Sequence, residues 1–159
     1  MTIPRLLISG STSGVGKTSI TSAIIYGLKK RGYTVQPFKV GPDYIDPSYL
    51  TSISHNDAKN LDVWLMGKKE LVKTFVKSST SDISIIEGVM GYYDGFGGKT
   101  NYASTHHVAT LLKVPVILIL DASKTSRSIA ATALGFTKFH RNSRISGIIL
   151  NKIGSKKHE

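Results

Sequence analysis

Nine residues near the amino end constrain this chain more than anything else in it: Gly10-Ser11-Thr12-Ser13-Gly14-Val15-Gly16-Lys17-Thr18. Before them, Arg5 to Ser9 is an apolar run that reads as a strand. After them, Thr18 to Lys30 carries Ile20, Ala23, Ile24 and Leu28 at helical spacing, and Arg31-Gly32 stops the pattern. A glycine-rich turn between a strand and a helix lets backbone N–H groups and a helix N-terminus converge on an anion. The phosphate-loop pattern asks for glycine, four residues, then Gly-Lys-Ser/Thr. Gly16, Lys17 and Thr18 meet its end, and Ser11 stands at its first glycine. Ser13, Gly14, Val15 and Gly16 would then cradle a nucleotide's phosphates, Lys17 would reach the outer ones, and the Thr18 hydroxyl would ligate Mg²⁺. A turn that merely joins two elements is the competing reading, and the flanking strand and helix weigh against it.

The rest of the chain repeats this alternation. Strands are expected at Thr34 to Val40, Ile83 to Glu87, Pro115 to Asp121 and Ile145 to Asn151, making five with the first. Helical spacing marks Leu71 to Val76, Val108 to Leu112 and Ser126 to Phe136. Gly41 to Pro47 looks too irregular for either element, and Gly88 to Gly98 reads as a loop with five glycines. Strands separated by helices predict an α/β fold with a doubly wound, mostly parallel sheet.

Composition narrows the chemistry. With 159 residues, 40% of them hydrophobic, one domain with a real core is expected. Lys and Arg total 21 against 10 acidic residues, a net +11 that suggests an anionic partner. No cysteine is present, which excludes disulfides, thiolate metal sites and a cysteine nucleophile. No long apolar run follows Met1, and Val114 to Leu120 is far too short to span a bilayer, so a cytoplasmic protein without membrane attachment is expected. Trp64 and the seven tyrosines look scattered, with no aromatic–basic interleaving that would mark a nucleic-acid platform. His106 and His107 are adjacent, so on a helix they would diverge rather than share a metal.

Ligands of parallel sheets gather beyond the carboxyl ends of the strands. Glu87 closes an apolar run there and is the best acid for holding Mg²⁺. Asp43 and Asp46 follow the second strand beside prolines, where turn chemistry explains them equally well. Asp94-Gly95 is also a common turn pair. Asp121 reads as a helix cap, and Asn151 as either a strand end or an amide that reads a purine edge.

Taken together, Ser13 to Thr18, Gln36 to Pro47, Asn60 to Met66, Glu87 to Gly91 with Tyr93-Asp94-Gly95, Asp121 to Ser123 and Leu150 to Lys152 resemble cobyrinic acid a,c-diamide synthase nearly end to end. The resemblance implies the dethiobiotin-synthetase-like branch of P-loop NTPases, whose members commonly lack the first loop glycine. It implies an ATP- and Mg²⁺-dependent ligase that amidates the a and c carboxylates of a corrinoid through an acyl phosphate. Carried over by position, Lys17, Thr18, Glu87 and Asp43 serve the phosphates and metal. Asp46, Asp94 and Lys39 serve the reacting carboxylate, and Asn151 lies beside adenine. Family members carry a further glutaminase domain that depends on a cysteine, so the chain is expected to be the ATP-binding N-terminal part of a longer enzyme. A shortened sheet would expose an edge strand and invite association into a homodimer.

Three other readings compete. Another tetrapyrrole, such as nickel sirohydrochlorin, would fit the same motifs. A partition-type ATPase switch would usually carry an extra lysine early in the loop, where this chain has Gly10-Ser11-Thr12, and its membrane version needs an amphipathic tail, whereas Lys152 to Glu159 is polar. A basic nucleic-acid-binding domain is suggested by charge alone.

Overall fold

A computed structural model describes residues 3–154. Strand and helix alternate as β1 (Arg5–Gly10), α1 (Lys17–Lys30), β2 (Val35–Val40), α2 (Asp46–Ser54), β3 (Lys59–Leu61), α3 (Val63–Ser78), β4 (Ile83–Glu87), α4 (Thr105–Leu112), β5 (Val116–Asp121), α5 (Ile129–Lys138) and β6 (Ile145–Asn151). A 3₁₀ turn, Phe96–Gly98, sits in the loop between β4 and α4. Most of the polar tail, from residue 155 on, lies outside the described residues. No helix among the described residues is long and apolar enough to cross a membrane.

The six strands pair in parallel in the order β3-β2-β4-β1-β5-β6. Successive strand residues face opposite sides, so each strand feeds two cores. Leu7, Phe38, Ile86 and Leu118 pack with Leu71 and Phe75 of α3, Val108 of α4 and Phe136 of α5. Their neighbours Ile8, Ile85 and Ile119 pack with Ile25 of α1 and Leu50 of α2. Helices on both faces of a parallel sheet make this the doubly wound α/β fold that the alternation predicts.

Several boundaries differ from the sequence reading. The sheet has six strands rather than five, because β3 is three residues long and two of them are polar, too short to show a period. Asp46 and Pro47 open α2 instead of closing an irregular loop; proline suits the first turn of a helix, where its missing N–H would be unpaired anyway. The helix expected at Leu71 to Val76 starts at Val63, where the Asp62 carboxylate accepts from Trp64 N and Leu65 N. Gly67, at φ +72°, interrupts its period and hides that first turn. Asp121 caps no helix: its carboxylate accepts from Ser123 N and pairs with Lys152, and α5 begins only at Ile129.

Candidate active site at the carboxyl edge of the sheet

The phosphate loop joins β1 to α1 over the centre of the sheet. Gly14 and Gly16 take positive φ, +76° and +97°, which turns the loop backbone as only glycine does without strain. A Cβ on Gly16 would also collide with the Asn151 amide. The first turn of α1 carries neither an acidic residue nor a side-chain cap, so its N-terminus faces the cleft uncompensated. Lys17 Nζ folds back on the loop and donates to the carbonyls of Thr12 (2.9 Å) and Met90 (2.8 Å). Burial, then repulsion from Lys39, lowers its pKa.

Beside it, β2 and β4 deliver a lysine and a glutamate in register. Lys39 pairs across the parallel ladder with Glu87, and both are last or next to last in their strands. Glu87 is fully buried and Lys39 is 2% exposed. Glu87 Oε1 accepts from Lys39 Nζ at 2.8 Å and from the Thr18 hydroxyl at 2.7 Å. Lys39 Nζ also donates to Asp46, and Asp43 Oδ2 lies 3.8 Å away. Burial pushes the Glu87 carboxyl upward against the opposing pull of Lys39 and Thr18. Burial likewise disfavours the Lys39 ammonium, but Glu87 and Asp46 outweigh it and hold its pKa above the ordinary lysine value. Backbone donors at Ile45 and Asp46, with Lys39, keep Asp43 ionised below its usual range despite some burial. So Asp43 performs the turn chemistry and faces the lysine as well.

These groups line one cleft of about 400 Å³ with Ser13, Ser19, Val89 and Met90. A wider cleft of about 580 Å³ opens at the amino ends of β5 and β6, lined by Lys113, Arg141 and Arg144, far in the fold from the phosphate loop. Glu87 Oε2 is buried with no hydrogen-bond partner among the described residues. An orphaned carboxylate oxygen beside a threonine hydroxyl suits a hard divalent cation. No cluster of three or more His, Asp or Glu among the described residues could hold a metal alone.

The structure therefore brings together Ser13, Gly14, Gly16, Lys17, Thr18, Lys39, Asp43, Asp46 and Glu87, while the Val15 side chain packs into the core beneath the loop. Asp94 is not among the residues that line this cleft but lies beside the phosphate loop, near enough for its charge to act on Lys17; it accepts from Gly91 N at 2.9 Å and lines a third, apolar cleft with Tyr93, Phe136 and Phe139. Asn151 braces the loop, its Nδ2 donating to the Val15 carbonyl at 2.8 Å. Three supporting residues escaped the sequence reading. Asn60 donates to the Gly41 and Asp43 carbonyls and fixes the acid loop. Thr105 closes two hydrogen bonds with the Val89 backbone, and Met90, at φ +49°, offers its carbonyl to Lys17. Asn60 and Met90 fall inside segments that carried the resemblance in sequence, whereas Thr105 gave no signal.

Comparison with known proteins agrees with this geometry. The chain is 46% identical over 154 residues to a cobyrinate a,c-diamide synthase from Synechococcus sp., covering 96% of this chain and 34% of that protein. It is 45% identical over 158 residues to a hydrogenobyrinate a,c-diamide synthase from Streptomyces coelicolor, covering 99% and 32%. The chain thus spans about a third of the length of the curated relatives it matches. Among solved structures, the signal recognition particle 54 kDa protein from Aeropyrum pernix in complex with GDP superposes with a TM-score of 0.57 at 19% identity, over 98% of this chain and 37% of that one; the likeness is one of fold. Residues 6–159 match the protein family described as CobQ/CobB/MinD/ParA nucleotide binding domain. A phosphate loop at the carboxyl edge of a doubly wound parallel sheet, together with that match, places the chain in the CobQ/CobB/MinD/ParA nucleotide-binding domain family.

Proposed function

We propose that the chain is the ATP-binding part of an amide-forming ligase that activates the a and c carboxylates of a corrinoid, cobyrinate or hydrogenobyrinate. The observation that carries this reading is the identity of about 45% to synthases of those names, running over nearly the whole chain. The buried Lys39–Glu87 pair beside the phosphate loop supports it, because the cleft holds a fixed cation as well as metal-type acids.

The loop amides, the α1 N-terminus and Lys17 hold the phosphates of ATP in line with the incoming acid. Thr18 and Glu87, with Asp43 nearby, would hold Mg²⁺, which would supply neutralisation of the phosphate charge. Lys39, positioned by Glu87 and Asp46, orients the substrate carboxylate. One carboxylate oxygen attacks the γ-phosphorus, the bond to the bridging oxygen breaks, and ADP leaves with that electron pair. Ammonia then attacks the acyl carbon, phosphate departs, and a proton is lost from nitrogen. Asp94 is assigned to the substrate side. Asn151 is assigned to the adenine side, where Oδ1 remains to accept from the exocyclic amine. Ammonia from glutamine is assigned to a separate cysteine-dependent domain, since these 159 residues have no cysteine.

Incubation with ATP, Mg²⁺, cobyrinate and hydroxylamine tests this directly. Corrinoid-dependent ADP release with formation of a hydroxamate is expected; ADP release indifferent to the corrinoid would refute it. Lys17→Ala is expected to lower ATP affinity by about 100-fold, from loss of charge-assisted phosphate contacts. Retained affinity in a calorimetric titration would remove the phosphate-loop assignment.

A further inference from the structure

The carboxyl edge of the sheet carries a second feature that the phosphate chemistry leaves unused. Trp64 and Phe96 are 57% and 64% exposed, yet their rings stack at 5.8 Å with an interplanar angle of 16°. Trp64 follows β3 and Phe96 lies in the loop after β4, while β2 runs between those strands. The rings therefore meet across the end of β2, the strand whose loop bears Asp43 and Asp46. Tyr44, Ile45, Leu65 and Met90 add exposed apolar surface on the same loops. Large exposed apolar side chains gathered in this way mark a binding surface.

Both rings are held rather than loose. Asp62 fixes the first turn of α3 by accepting from Trp64 N and Leu65 N at 2.7 and 3.1 Å. Phe96 N donates to the Tyr102 carbonyl at 2.8 Å, and a side chain on Gly95 would strike that backbone. Exposed lysines follow each ring in the chain: Lys68 and Lys69 on α3, and Lys99 just after the 3₁₀ turn. An exposed aromatic pair on the carboxyl edge of the sheet, with lysines close by in the chain, complements a large ring with an apolar face and carboxylates on its periphery.

We propose that Trp64 and Phe96 form the platform on which the macrocycle of a polycarboxylate substrate stacks, with the neighbouring lysines pairing its outer carboxylates. This rests on the amidation reading above. Trp64 is the sole tryptophan, so its emission reports the platform directly. Titration of the protein with cobyrinate should quench that emission saturably, beyond the inner-filter loss seen with free tryptophan. By calorimetry, Trp64→Leu and Phe96→Leu should each weaken cobyrinate binding roughly tenfold, with Trp64→Phe near wild type, as expected for lost stacking. ATP affinity, which none of these side chains touches, should stay unchanged and certify the fold. If both leucine variants bind cobyrinate as wild type does, the platform is refuted while the amidation reading stands. If the wild-type protein binds ATP but no cobyrinate, the amidation reading falls and the platform with it. Dimerisation by wild type that the leucine variants abolish, without loss of cobyrinate affinity, would instead make the patch an interface between copies.

Discussion

Lys39 serves three carboxylates at once, and its position follows from β2 register alone. It faces Glu87 across the ladder, and the two prolines and aspartates that follow bend Asp43 and Asp46 back over it. A buried pair of this kind is costly to break from one side, because the remaining charge loses its partner. Lys39→Met should therefore destabilise the protein by about 3–5 kcal/mol, read as a lower urea midpoint at unchanged slope; a shift below about 1 kcal/mol would mean that Glu87 relaxes or protonates freely. Glu87→Gln keeps the Thr18 and Lys39 contacts approximately in shape but removes the metal-type charge. It should cut Mg²⁺-dependent turnover far more than nucleotide affinity, and an equal loss of both in steady-state and binding assays would place Glu87 in binding alone. That Glu87, Lys17 and Thr18 share one cleft was legible because each is placed by local sequence and strand ends. Lys39's pairing was not, since register across β2 and β4 is a long-range property.

At the scale of elements, α3 shows how a cap and a break disguise a helix. Its apolar spacing is plain only from Leu71 onward, and Gly67 in the left-handed region separates that stretch from the turn begun at Val63. The Asp62 carboxylate, 6% exposed, satisfies two N–H groups that the helix cannot pair internally. Asp62→Ala should cost about 1–2 kcal/mol of stability. Urea unfolding checks this, and a change within about 0.5 kcal/mol would mean that water replaces the cap. α2 and β3 were missed for a related reason: an Asp-Pro start resembles a turn, and three residues of an edge strand have no measurable period.

For the molecule as a whole, the histidines couple stability to pH. His106 is 4% exposed, with neither ring nitrogen hydrogen-bonded among the described residues. Its ring packs at 4.6 Å against His140, from the segment after α5, and at 5.4 and 5.0 Å against Tyr92 and Tyr93, from the loop after β4. Burial, then His140 and His107, lowers its pKa from 6.5 to about 4. The folded state thus binds fewer protons than the unfolded chain between those values. The stability this neutral ring supports is intact above pH 6.5 and is lost as pH falls towards 4, by at most about 3 kcal/mol. His106→Leu should flatten that part of the urea-midpoint profile; an identical slope between pH 6.5 and 4 in the variant would assign the loss to other groups. The +11 charge, open to several polyanions in sequence, includes Lys17 and Lys39, which the fold gathers in the phosphate-loop cleft.

Sequence alone determined the alternation of strand and helix, the phosphate loop and the acids at strand ends, because each is written in residues that are neighbours along the chain. Strand order, the Lys39–Glu87 register, the bracing of Gly16 by Asn151 and the meeting of Trp64 with Phe96 were decided only by tertiary structure. Those contacts join residues between 32 and 135 positions apart, and local propensity carries no information about which distant partner will close them.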